Sequence, residues 1–391
     1  MNRISVLALG ASAALLLGAA PPSDPPPIAN YWMDVGTTSG FGAGMMGGRG
    51  RPSIGQIMSM MSGGGPSVGH TLDLRLASRQ KPTAGPEADH FIPPGLQMGP
   101  SLPLVTPVRE EVRAPGGVPP NLKQTKGRML LFWDCGEHVG AGQPSVIDFS
   151  KLAAGQVPPG MAAMAATAHS VAGPTSAPGF GRWPNDRDRS AVPASGSLVG
   201  AHRVEGNYSP PIAFSLTAGQ DFMPSLELTE AGSLPSGATR LVWRPAPPAT
   251  GYSLAMFGAS GNGDVVMWSS GKNAGFSNMD YLAPSEVRRL VGLGAVLPPT
   301  TSECLLPAEV AAASPAGAIT MIGYGPEANF AEKPKAPKWT AKVRFKTTAT
   351  VMHGLGGFGG ASARPGQPAP PPKKKKRFGL GDILNGTIPN Q

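Results

Sequence analysis

The chain has 391 residues, of which 54 are Gly and 45 are Pro, about twice the ordinary combined share. With 15% charged and 6% aromatic residues and no Gly at every third position, it is neither a long coiled coil or helical repeat nor a collagen; 40% hydrophobic residues exclude full disorder. The formal net charge of +9 is concentrated in the last 28 residues, which hold six basic residues and one acid. The body is therefore near neutral, and the charge does not argue for a nucleic-acid partner.

Arg3 followed by an uncharged apolar run to Gly18-Ala19-Ala20 reads as a secretory signal over residues 1–20. The run is short for a membrane span and none of that length follows, so no transmembrane span is expected once the signal is removed. Residues 21–69 pass from Pro-rich to Gly/Met-rich, with too few bulky groups to offset backbone ordering, and are expected to be disordered. Tyr31-Trp32-Met33 is the exception, a short apolar group able to dock on the body.

A β-rich domain with one helix is expected over residues 70–222. Leu72, Leu74 and Leu76 alternate with polar residues as in a half-buried strand, and residues 128–133 form an apolar run read as a buried central strand. Residues 146–149 mark another strand. Met161, Met164, Ala165 and Ala168 share one helical face, and Ile212, Phe214 and Leu216 alternate again.

A second unit is expected over 223–353. Its strands are marked by Leu226 and Leu228, by Leu241-Val242-Trp243, by Tyr252, Leu254 and Met256, by Val266 and Trp268, and by residues 319–321. Gly261-Asn262-Gly263-Asp264 is a hairpin turn signal. Short helices are expected around 285–293 and from Pro307. Trp339, Ala341, Val343 and Phe345 alternate with Thr340, Lys342, Arg344 and Lys346, giving one apolar and one basic face.

Residues 237–348 resemble a fibronectin type III or related immunoglobulin-like module, through Leu241-Val242-Trp243-Arg244-Pro245, Ala249-Thr250-Gly251-Tyr252 and Val266-Met267-Trp268. The resemblance implies a β-sandwich with Trp and Tyr rings between its sheets, and a role in binding or spacing. The fold expected for the whole chain is mostly β: two β-sandwich-like units with a few short helices, flanked by disordered ends. The second of these ends is a Gly/Pro-rich polybasic tail at 354–391.

Candidate chemistry is sparse. Cys135 and Cys304 form an isolated pair that an oxidising compartment would allow to join. The polar run Asp134-Cys135-Gly136-Glu137-His138 offers an alternative, a thiolate nucleophile or a metal set of Cys135, Glu137 and His138. Met45, Met46, Met58, Met60 and Met61 supply thioethers of the kind that hold Cu(I). Gly42-x-Gly44-x-x-Gly47 and Ser269-x-x-Lys272 match a dinucleotide fingerprint and a serine/lysine motif in letters but lack the context either needs. The remaining histidines are scattered.

Lys373, Lys374, Lys375, Lys376 and Arg377 follow a Pro spacer and suit an anionic surface. Lys342, Arg344 and Lys346 extend such a surface, or else guard an edge strand. These features lead to an exported, periplasmic or envelope-associated protein without a cofactor, a binding or structural module. Its expected partner is anionic envelope lipid or wall polymer, or another envelope protein. The alternative is an envelope enzyme or metal handler using residues 135–138 or the Met-rich segment.

Overall fold

The computed structural model describes residues 25–43, 68–82, 84–107, 127–153, 173–272 and 280–354. The signal, the expected helix at 161–168, the thioethers of Met45, Met46, Met58, Met60 and Met61, and the tail cations Lys373, Lys374, Lys375, Lys376 and Arg377 lie outside these residues.

The described residues are mostly β, arranged in three sheets. The largest has nine strands. From edge to edge they are β6 (Ser145–Asp148), β5 (Arg128–Trp133), β13 (Val265–Ser269), β12 (Gly251–Ala259), β15 (Gly317–Ala331), β16 (Trp339–His353), β1 (Ala29–Gly40), β2 (Gly69–Ser78) and β7 (Gly179–Trp183). Neighbours are antiparallel except β5 with β13 and β1 with β16. A four-stranded sheet runs β4 (Ser101–Pro103), β3 (Ala88–Phe91), β8 (Gly200–Gly206), β9 (Ser209–Leu216). A three-stranded sheet runs β10 (Thr229–Ser233), β11 (Thr239–Val242), β14 (Glu303–Leu306).

One face of the long sheet is roofed by both smaller sheets. Tyr31, Met33, Val35, Leu72, Leu74, Val343 and Phe345 pack against Val204, Ile212, Phe214 and Leu216 of the four-stranded sheet. Leu254, Met256, Val266, Trp268, Ile319 and Met321 pack against Leu241 and Leu306 of the three-stranded sheet and Val310 of the helix Ala308–Ala313. Period-two side-chain alternation accounts for this directly: each strand sends every second residue under a roof. Trp243 and Tyr252 meet edge-on, with ring centroids 5.9 Å apart, inside the second core.

Three expectations change. Residues 29–40 fall in the segment expected to be disordered, yet form β1, buried along most of its length between β16 and β2. Two full hydrogen-bond ladders and burial of both faces offset the ordering entropy that the Gly and Pro flanks suggested would prevail. Residues 70–222 and 223–353 do not each build their own sheet. β5 and β6 join β13 in one half of the long sheet, while β16 joins β1 and β2 in the other. Leu226 and Leu228 are core residues, but the strand beside them begins at Thr229.

The turn at 261–264 does join β12 to β13, with Gly263 at φ +84°. The opposite face of the long sheet carries a small cluster in which Val287 and Leu290 of the helix Pro284–Gly292 meet Ile322 and Tyr324. Beside it lies a polar region on β15, β16, β1 and β2, partly covered by Tyr281.

Candidate binding site on the polar face of the sheet

The polar region is laid out by strand register. One cross-strand row reads Asn329, Lys342, Trp32, Arg75, Arg182, and the next reads Glu327, Arg344, Asp34, Asp73. Each residue alternates with a core residue of the same strand, so the hydrophobic pattern that builds the core also sets this grid.

Arg344 is its centre. Its Nε and Nη2 donate to Asp34 Oδ1 and Oδ2, both at 2.6 Å, with both residues 4% exposed. The guanidinium lies 4.6 Å from the Trp32 ring centroid and 4.8 Å from that of Tyr281. A planar delocalised cation can accept a bidentate carboxylate and two aromatic faces together. Gly36 lies beside this arrangement, where a Cβ would collide with Thr71 Oγ1 on β2. Lys346 Nζ stands 4.2 Å from the Tyr281 centroid and 3.5 Å from Asp280.

Burial raises the Tyr281 hydroxyl well above its usual pKa, reinforced by Asp34. It lowers the Lys346 ammonium against the opposing pull of Asp280. Burial also raises the Asp73 carboxyl, although Arg75 lies 2.7 Å away and works against it.

The row Lys342, Arg344, Lys346 is thus neither freely exposed nor on an edge. β16 lies between β15 and β1, Arg344 is buried, and Lys342 is held 3.1 Å from Glu327.

The exposed cations lie at the end of the sheet where β1 begins. Ile28 N–H donates to Lys338 O at 2.8 Å and Arg79 N–H donates to Ile28 O at 2.9 Å, which brings the β15–β16 hairpin tip beside the end of β2. Lys333, Lys335 and Lys338 of the tip, with Arg79 and Lys81, are exposed there. The Arg79 side chain is anchored on the carbonyls of Pro27 and Pro26. At the same end a groove of about 400 Å³ is lined by Asn30, Trp32, Asn329, Thr340 and Lys342. Thr340 Oγ1 donates to Asn30 Oδ1 at 2.9 Å, and the Lys342 ammonium lies 5.3 Å from the Trp32 centroid. Sequence reasoning overlooked this end because its basic residues are interleaved with Pro and Ala and come from two segments about 250 positions apart.

Cys135 and Cys304 are joined in a disulfide with Cα atoms 5.3 Å apart, linking the loop after β5 to β14. Gly136 N–H donates to Leu305 O at 3.1 Å, and Glu137 O accepts from Ala308 N–H at 3.1 Å. Glu309 takes His138 Nδ1 at 2.9 Å and Val139 N–H at 3.1 Å. In this state Cys135 has no thiolate to offer, and residues 134–139 act as a bracket between sheet and roof. Among the described residues no three His, Cys, Asp or Glu side chains gather as a metal set. Ser269 is buried at the end of β13 and Lys272 is exposed.

Two of the scattered histidines meet in the first core. His202 Nε2–H donates to Leu198 O at 2.7 Å, so its Nδ1 accepts from His90 Nε2–H at 3.0 Å. His90 Nδ1 in turn accepts from the Tyr31 hydroxyl at 2.9 Å. Every donor in this chain of neutral groups has an acceptor, and burial lowers both imidazoles, His90 the more strongly.

No protein-family model matches the chain, and neither does any curated protein. No helix among the described residues is long and apolar enough to cross a membrane.

Proposed function

We propose that the protein is an exported envelope module that binds rather than catalyses, and that its body takes part in holding it to anionic envelope material. The observation that carries this reading is the gathering of Arg79, Lys81, Lys333, Lys335 and Lys338 on one exposed end of the sheet, where they outnumber the acid Glu332 of the same tip. A cation near an anionic surface contributes about 1 kcal/mol, and five on a preordered surface add without the ordering cost of a tail. Export is read from residues 1–20, and the polybasic stretch 373–377 supplies a second, sequence-level source of the same charge. The immunoglobulin-like resemblance of residues 237–348 favours binding over catalysis. The disulfide at Cys135 weighs against the enzyme alternative.

The test is retention of the full mature chain on anionic envelope fractions at low and high salt. Charge reversal at Lys333, Lys335 and Lys338 together is expected to reduce retention at low salt. Retention unchanged by the reversal and insensitive to salt would refute the reading.

A further inference from the structure

The groove beside the basic end adds a second kind of chemistry. Asn329 offers an amide that both donates and accepts, Asn30 and Thr340 present an amide and a hydroxyl already joined to each other at 2.9 Å, and Trp32 and Phe330 make the lining largely apolar. A bare phosphate or carboxylate accepts only and would leave the acceptors of such a lining unused. Lys342 is neutralised by Glu327 at 3.1 Å, so the groove itself has little excess positive charge for an anion. A ring bearing several hydroxyls uses donors, acceptors and an aromatic wall at once. The volume, about 400 Å³, lies within the usual range for small-ligand sites.

Lys338 stands immediately before β16, two residues ahead of Thr340, about 7 Å of extended chain. A polymer seated in the groove therefore reaches the tip lysines within a short span. A lipid surface is too broad to enter a concavity of this size and would meet only the tip.

We infer that the groove is a sugar-ring subsite, and that the ligand of this end is an acidic polysaccharide with one ring in the groove and neighbouring acid groups on Lys333, Lys335 and Lys338. This rests on the reading that the basic end binds anionic material and names which material.

The experiment measures binding of the full chain to a polygalacturonate, to a neutral dextran, and to phosphatidylcholine vesicles containing phosphatidylglycerol. Ala331→Trp fills the groove without altering charge, because Ala331 is an exposed lining residue. Asn329→Ala, also exposed, removes one amide with little risk to folding. Polygalacturonate is expected to bind the parent chain, to bind at least about tenfold more weakly to Ala331→Trp, and to weaken in Asn329→Ala. Vesicle association should be the same in all three proteins. Reversal of Lys333, Lys335 and Lys338 should weaken both.

Vesicle binding without polygalacturonate binding, or polygalacturonate affinity untouched by both groove variants, would overturn the sugar subsite and leave the broader reading standing. Absence of binding to either anionic probe would overturn both.

Discussion

Asp34 and Arg344 are 310 positions apart, yet close a bidentate ion pair in the middle of the nine-stranded sheet, where the parallel register of β1 and β16 sets them side by side. Both are 4% exposed. Removing one partner leaves the other charge buried, which typically costs about 3–5 kcal/mol. Asp34→Asn is expected to destabilise by that order in denaturant unfolding. Asp34→Leu combined with Arg344→Met should recover much of the loss, since an apolar pair carries no desolvation penalty. The exposed Arg240–Glu303 pair, at 2.5 Å, serves as the control, and breaking it should cost less than about 1 kcal/mol.

Acid should weaken the first core. Burial depresses His90 and His202 below their unfolded value, so the unfolded chain binds protons that the folded chain does not. Their contribution is complete above about pH 6.5, the unfolded histidine value, and is lost as pH falls below it toward the depressed folded values. Thermal melts across pH 4–8 should show this slope, flattened in His90→Leu with His202→Leu. Equal slopes in parent and variant would refute the assignment.

Alkali should act from the other side. Tyr31 and Tyr281 are held well above the usual phenol value, first by burial. The folded chain therefore retains protons that the unfolded chain loses, and stability declines as pH rises above about 10, the unfolded tyrosine value. Tyr31→Phe should reduce that decline. It also leaves His90 Nδ1 without a donor, at a cost of about 1–3 kcal/mol near neutral pH.

Reduction should loosen the second core. The Cys135–Cys304 bond spans 169 positions and ties the loop after β5 to the roof strand β14. Losing such a link typically costs about 2–5 kcal/mol. Native, unreduced protein should show no reactive thiols. Cys135→Ser with Cys304→Ser should lower the unfolding midpoint while leaving polyanion binding intact, because the basic end lies in the other half of the sheet.

The junction between the long sheet and the four-stranded roof offers a steric test. A Cβ at Gly181 would stand 2.5 Å from Tyr208 Oη and 2.7 Å from Leu104 O. The backbone carbonyl cannot yield cheaply, so Gly181→Ala is expected to cost about 1–3 kcal/mol in chemical unfolding. Gly261→Ala is the matched control, since a Cβ at Gly261 meets nothing within 4 Å.

Strands with a clear period of two could be read from the chain alone. β2, β9, β12 and β16 show it, because burying one face against a roof forces alternation. β1 escaped because its outer face holds Trp32, buried Asp34 and Gly36, so polarity does not track exposure along it. The short strands β3, β4 and β7 escaped because Pro and Gly flank them; β3 and β7 also take partners more than 100 positions away, β8 and β2.

The candidate site divides in the same way. Local sequence determined that Lys342, Arg344 and Lys346 share a face, since alternation on one strand needs no partner. Tertiary structure alone decided that Arg344 is buried on Asp34 and that Lys342 is paired with Glu327, while Arg79, Lys81 and the tip lysines converge beside a groove. Composition likewise determined a turn-rich, mostly β chain from the abundance of Gly and Pro. Which strands share a sheet was decided by hydrogen-bond ladders between residues hundreds of positions apart, a relation that no local pattern encodes.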